Sequence, residues 1–209
     1  MTHPDVFPSS PPPALICLLA GHSSRMGSPK QHVLLGGRTF LEHLLSRVDI
    51  LQHALGKRLF VGQDRDISSR SLVTAAGGIW VVNHHPDDGP LSSIRLALER
   101  LPEPTGFLLW PIDHPLVAPE TVSGILAAAA REPDFIVAPS DGTRRGHPSF
   151  FPAWAREELF AAPLEAGARW VMHRHPDRIR HVLTCDPWIR RNLNTPELLA
   201  EAARELEDR

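Results

Sequence analysis

Residues 14–30 read ALICLLAGHSSRMGSPK. A short apolar run passes without a spacer into small and hydroxyl residues, then Arg25, Gly27 and Lys30. That order predicts a buried strand delivering an anion-handling loop to a sheet edge. Glycines let the backbone approach an anion, amides supply donors, and the cations neutralise charge. The spacing is not that of a P-loop, and Gln31 rather than Ser or Thr follows Lys30. No G-x-G-x-x-G dinucleotide fingerprint is present either.

Composition singles out Lys30. Of 22 basic residues only Lys30 and Lys57 are lysine. An arginine-rich chain thus keeps a lysine, a compact and mobile ammonium, in its most Gly- and Ser-rich loop. The plain alternative is chance placement on a solvated loop.

The 209 residues, 42% hydrophobic, suit one well-buried domain. A net charge of -2 without a long basic run argues against nucleic acid as the partner. Cys17 and Cys185 lie far apart, which reads as a reduced cytoplasmic protein. No apolar run reaches membrane-spanning length. The opening MTHPDVFPSSPPP lacks a basic n-region, so no signal peptide is expected. Residues 1–13 read as a disordered Pro-rich tail and 14–209 as a single domain.

Past the tail, apolar strand candidates at 14–20, 58–62, 79–83, 106–110 and 134–139 alternate with helical patterns. Phe40, Leu41, Leu44, Leu45 and Val48 form one stripe; Ile94, Ala97, Leu98 and Leu101 form another. Pro119 opens a third helix. The expectation is a three-layer, Rossmann-like α/β domain with a mostly parallel sheet and ligands at the strands' C-terminal ends. After residue 140 the rhythm changes. Asp141-Gly142 signals a small β-hairpin insertion. Helices follow near 153–160 and 166–174, then a strand near 179–184 and a helix capped by Thr195.

Sheet logic places Asp113, directly after the strand GFLLW, opposite the first loop. A carboxylate there suits a Mg²⁺ ligand, and its ordinary alternative is a turn cap. The histidine pairs His84-His85 and His173-x-His175 lack metal-site spacing, and no G-x-S-x-G elbow is present. His147, in RRGHP, can help Arg144 and Arg145 meet an anionic acceptor, or can simply bond the hairpin backbone. Trp80 and Trp110 read as core.

Five segments in order carry a family resemblance. LLAGHSSRMGSPK at 18–30 resembles the signature of MobA-like nucleotidyltransferases, the molybdenum cofactor guanylyl- and cytidylyltransferases. PIDHPLV at 111–117 resembles their strand-end D-x-P motif, and GPLSSIRLAL at 89–98 their G-x-x-x-S segment. RRGHPSFF at 144–151 is similar to the G-H-P segment of the cytidylyl branch, and NLNTPELL at 192–199 to the family's ending.

The resemblance implies a nucleotide-diphospho-sugar transferase-like fold and transfer of NMP from an NTP to a phosphorylated, molybdopterin-type acceptor, releasing pyrophosphate. It puts Leu19, Ala20, Gly21, Ser23, Ser24, Arg25, Gly27, Lys30, Ser92 and Ser93 at the nucleotide. Lys30, Arg25 and Asp113 become catalytic, Asp113 and Asn194 hold Mg²⁺, and Arg144, Arg145 and His147 meet the acceptor. Leu19 departs from the family's usual alanine. Ala20 matches the cytidylyl type and favours CTP over GTP, while Gly89-Pro90-Leu91 resembles the guanylyl branch. Two alternatives stay open. One is a phospho-sugar or phospho-alcohol nucleotidyltransferase. The other is a non-catalytic nucleotide-binding protein that serves a molybdoenzyme as chaperone or regulator.

Overall fold

The computed structural model describes residues 11–19, 29–102 and 104–207. Its strands are β1 (Ala14–Leu18), β2 (Leu34–Leu35), β3 (Arg38–Thr39), β4 (Arg58–Gly62), β5 (Ile79–Val82), β6 (Phe107–Pro111), β7 (Ile136–Ser140), β8 (Ser149–Phe151) and β9 (Ile179–Leu183). Its α-helices are α1 (Phe40–Ile50), α2 (Ile67–Ala75), α3 (Pro90–Leu98), α4 (Pro119–Arg131), α5 (Ala155–Ala161), α6 (Arg169–Arg174) and α7 (Pro196–Glu207).

Seven strands form one sheet in the order β5-β4-β1-β6-β8-β7-β9, while β2 and β3 pair separately. All neighbours in the main sheet run parallel except β8, which is antiparallel to both β6 and β7. The apolar runs thus became strands, the central ones β1, β4 and β6 buried on both faces as expected for a parallel sheet. Alternation along β1 divides the core. Leu15 and Cys17 face a cluster completed by Phe40, Leu44 and Val48 of α1 and by Val122 and Ile125 of α4. Ala14 and Ile16 face the other, with Ile94 and Leu98 of α3 and Leu159 of α5. Trp110 is fully buried, as read from its place in a strand, and Trp80 packs against the same cluster.

The hairpin signal at Asp141-Gly142 took an integrated form. Gly142 adopts φ 91°, Ser140 bridges Arg145, and the returning strand β8 is built into the main sheet between β6 and β7. Phe151 of β8 stacks on Phe107 of β6 with ring centroids 5.4 Å apart. Two features lay outside the sequence reading. Gly36 and Gly37, both at positive φ, turn β2 into β3. Helix α2 buries only Ser69 and Val73, too few residues for an apolar stripe.

Helix ends follow their capping chemistry. Thr39 and Glu42 form a reciprocal capping box on α1. The Thr195 hydroxyl accepts from the Leu198 amide, as its N-cap reading required. The α4 terminus borrows a distant cap: the Asp186 carboxylate accepts from the Ala118 amide at 2.8 Å and the Thr121 hydroxyl at 3.0 Å. Among the described residues no helix is long and apolar enough to cross a membrane.

Candidate active site

Strands β1, β4, β5 and β6 are parallel, so their C-terminal ends share one edge. From β1 the chain steps outward to β4 and β5, then returns to place β6 on the other side of β1. That reversal is a topological switch point, where open α/β sheets hold ligands. A cavity of about 340 Å³ lies there. Leu18, Leu19, Lys30, Gly89, Ser93 and Asp113 are among the residues that line it.

Lys30 and Asp113, 83 residues apart, meet with Nζ donating to Oδ2 at 2.8 Å. Lys30 opens a tight turn over Lys30–His32, and Asp113 follows β6 by two residues. The other carboxylate oxygen, Oδ1, is buried without a hydrogen-bond partner. Burial pushes the Asp113 carboxyl up, but His114, Lys30 and His147 outweigh it and hold the group below the ordinary carboxylate value. Asp113 therefore presents a fixed negative charge with one oxygen that accepts no hydrogen bond.

Asn194 lies on a segment that adjoins Asp113 through its backbone. The Leu193 amide donates to the Asp113 carbonyl at 3.2 Å, and the Asn194 Oδ1 is buried and unpartnered. Two orphaned hard oxygens on adjoining segments fit a divalent cation of the Mg²⁺ class. Among the described residues no three His, Cys, Asp or Glu side chains form a closed cage. Such a cation would keep positions for substrate oxygens, as Mg²⁺ does when it is bound through few carboxylates.

The other expected residues sort clearly. Leu19 lines the cavity, 2% exposed. Ala20, Gly21, Ser23, Ser24, Arg25 and Gly27 lie outside the described residues. Ser93 reaches the cavity; Ser92 instead donates to the Gly89 carbonyl at 2.8 Å. Arg144 and Arg145 are exposed on the β7–β8 turn and do not line the cavity. His147 parts from them. Its ring lies 4.8 Å from that of His114, whose Nε2 is 3.9 Å from Asp113 Oδ1. His147 Nδ1 is buried without a partner. Burial, then His114, push its pKa down to about 4 against the pull of Asp113.

Sequence reasoning missed three positioning groups. Asn83, 2% exposed at the end of β5, donates to the hydroxyls of Ser92 and Ser93 and accepts from the His85 amide. It ties the β5 loop to the start of α3. His114 is buried; its Nδ1 donates to the Trp188 carbonyl at 3.1 Å, linking Asp113's loop to the segment that carries Asn194. Asp66 caps α2 and holds the Lys30 turn. An N-cap signal was present in Asp66-Ile-Ser-Ser, but nothing in the sequence named the distant partner.

Comparison with known proteins then decides the family. Residues 15–179 match the MobA-like NTP transferase domain. The chain belongs to the MobA-like NTP transferase family. It is accordingly a nucleotidyltransferase. A molybdenum cofactor guanylyltransferase of Rhizobium leguminosarum bv. trifolii is 29% identical over 213 residues, covering 92% of each chain. Among solved structures, molybdopterin-guanine dinucleotide biosynthesis protein A of Archaeoglobus fulgidus superimposes with a TM-score of 0.71 at 19% identity. It covers 94% of this chain and 100% of its own. A Mycobacterium tuberculosis protein in complex with manganese gives 0.73 at 23% identity, over 93% of this chain and 99% of its own. These two likenesses carry the fold.

Proposed function

We propose that this enzyme transfers a nucleoside monophosphate from an NTP to a phosphorylated acceptor of the molybdopterin type. The observation that carries the reading is the Lys30–Asp113 pair at the switch point, with no hydrogen bond made to Asp113 Oδ1. An oxygen of the acceptor phosphate attacks the α-phosphorus in line, the bond to the bridging oxygen breaks, and pyrophosphate leaves. Positioning and charge neutralisation suffice for this chemistry, with no covalent enzyme intermediate.

Lys30 holds non-bridging phosphate oxygens near the reacting phosphorus. Its contact with Asp113 keeps the ammonium aimed at the cavity before nucleotide arrives. Asp113, with Asn194 on the adjoining segment, would hold Mg²⁺, which when bound would screen the triphosphate charge and polarise its oxygens. Ser23, Ser24 and Arg25 are proposed to meet the triphosphate. Gly89, whose φ of 89° suits glycine, lets the chain turn into α3 beside the cavity, where the base and ribose meet Ser93. The acceptor is proposed to meet Arg144, Arg145 and His147, none of which lines the nucleotide cavity.

For the base, two features pull apart. Ala20 favours CTP. Gly89-Pro90-Leu91 and the guanylyltransferase names of the relatives favour GTP. The described cavity contains the second feature, so GTP is taken as the donor. The test measures pyrophosphate release from GTP, CTP, ATP and UTP with Mg²⁺ and molybdopterin. GTP-dependent release of at least about tenfold over the other nucleotides supports the reading. A CTP preference of that size moves the base assignment to Ala20, and no release with any nucleotide overturns it.

A further inference from the structure

Asp66 lies at the start of α2 and lines no part of the cavity, yet both residues that follow Lys30 end on its carboxylate. Gln31 Nε2 donates to Oδ2 at 2.7 Å. His32 Nε2 donates to Oδ1 at 3.0 Å. The same carboxylate takes the Ser69 amide at 3.2 Å and the Ser68 hydroxyl at 3.3 Å as the cap of α2. Gln31 is 5% exposed, so its side chain is locked rather than waving in solvent. Asp66 is charged in this arrangement. Burial opposes its ionisation, but Gln31, Ser69 and His32 outweigh that and hold it below the ordinary carboxylate value.

Lys30 is thereby held at two ends. Its ammonium is bound to Asp113, and its backbone belongs to a turn whose next two side chains are bound to Asp66. Substrate phosphates compete with Asp113 for the ammonium. They do not touch the Asp66 tether, which keeps the lysine within reach when the first contact is exchanged. Asp66 in turn sits in the loop just after β4, whose strand pairs with β1, so the tether refers Lys30 to the central sheet.

We propose that Asp66 is the positioning residue for Lys30, holding the phosphate-binding lysine to the sheet through Gln31 and His32. This rests on the nucleotide reading of the cavity for its functional consequence, but the tether itself does not.

The chain's two lysines make the experiment direct. Lys57 precedes β4, at the opposite sheet edge, where its Nζ bonds the Arg100 carbonyl. It serves as an internal reference. Limited acetylation with acetic anhydride, quantified by mass spectrometry, gives the Lys30:Lys57 labelling ratio without nucleotide. The Gln31→Ala/His32→Ala double variant cuts the tether and leaves α2's cap untouched. Its ratio is expected to rise about tenfold, the scale of losing one charge-assisted hydrogen bond's worth of restraint on the lysine. Its kcat is expected to fall about 10- to 100-fold, with KM for NTP changing less than about threefold, because misplacement is felt mainly at the reacting phosphorus. Asp66→Asn retains a good cap and part of the tether, and should fall between wild type and the double variant. A double variant that melts at a lower temperature but keeps the wild-type labelling ratio and kcat overturns the proposal. In the wild type, NTP with Mg²⁺ should shield Lys30 and not Lys57. Absence of that shielding overturns the nucleotide reading, whatever the tether does.

Discussion

Lys30 and Asp113 neutralise one another across the switch point, and the histidines behind Asp113 set the pH behaviour of that corner. His147 is held down to about 4, chiefly by burial and then by His114, and His114 is itself lowered by burial. A depressed histidine resists protonation in the folded state, while the unfolded chain takes protons as pH falls through the ordinary value of 6.5. Stability is therefore lost as pH falls from there toward 4. Asp113 acts later, its depressed carboxyl costing stability only as pH drops through the acid range below 3.8. Urea unfolding of the metal-free protein from about pH 7 to about pH 4.5 should show falling midpoints, with a shallower fall in His147→Gln. Parallel profiles for the two proteins would contradict this. At this scale the meeting of Lys30 with Asp113 was legible because both follow strands whose ends share one sheet edge. Asn83, His114 and Asp66 were not, because a single polar residue at a strand end or helix start does not declare which distant carbonyl or side chain it will meet.

Among elements, the 146–147 segment and the 187–189 turn are fitted closely. The His147 amide donates to the Ile189 carbonyl at 2.7 Å, and a Cβ on Gly146 would stand 2.4 Å from that same oxygen. Since the opposing atoms are the Ile189 carbonyl group and its Cβ, Gly146→Ala should destabilise by about 1–3 kcal/mol, measured by chemical denaturation, because the turn must move to make room. A loss below about 0.5 kcal/mol would show that the two segments slide freely. Thr39→Ala removes one half of the α1 capping box and should cost about 1 kcal/mol. The strands were read from apolar runs because burial on both faces leaves a continuous signal. Strand β8 was hidden in the expected hairpin, since three residues carry no periodicity and its place in the sheet depends on partners far along the chain. Helix α2 escaped for a related reason: its sequence ISSRSLVTA carries almost no apolar face, and it is held by a cap and Val73.

Across the molecule, the fold gathers segments near residues 30, 113, 147 and 194 at one sheet edge. The alternation of strands and helices was enough to name that edge, since parallel strands must end together. It did not reveal that His147 would leave Arg144 and Arg145 and tilt against the His114 ring, which depends on β8 crossing back through the sheet. If the edge is a nucleotide site, NTP at about 100 times its Kd should stabilise the protein by about 2.7 kcal/mol. At about 2–4 °C per kcal/mol, that is a rise of about 5–11 °C in Tm. The most direct test of the central claim is kcat/KM for nucleotidyl transfer in wild type, Lys30→Ala and Asp113→Ala, each first shown to be folded by circular dichroism. Each substitution is predicted to cost at least about 100-fold, the scale of losing one charge-stabilising group; wild-type turnover in both would contradict the assignment of this edge as the transfer site.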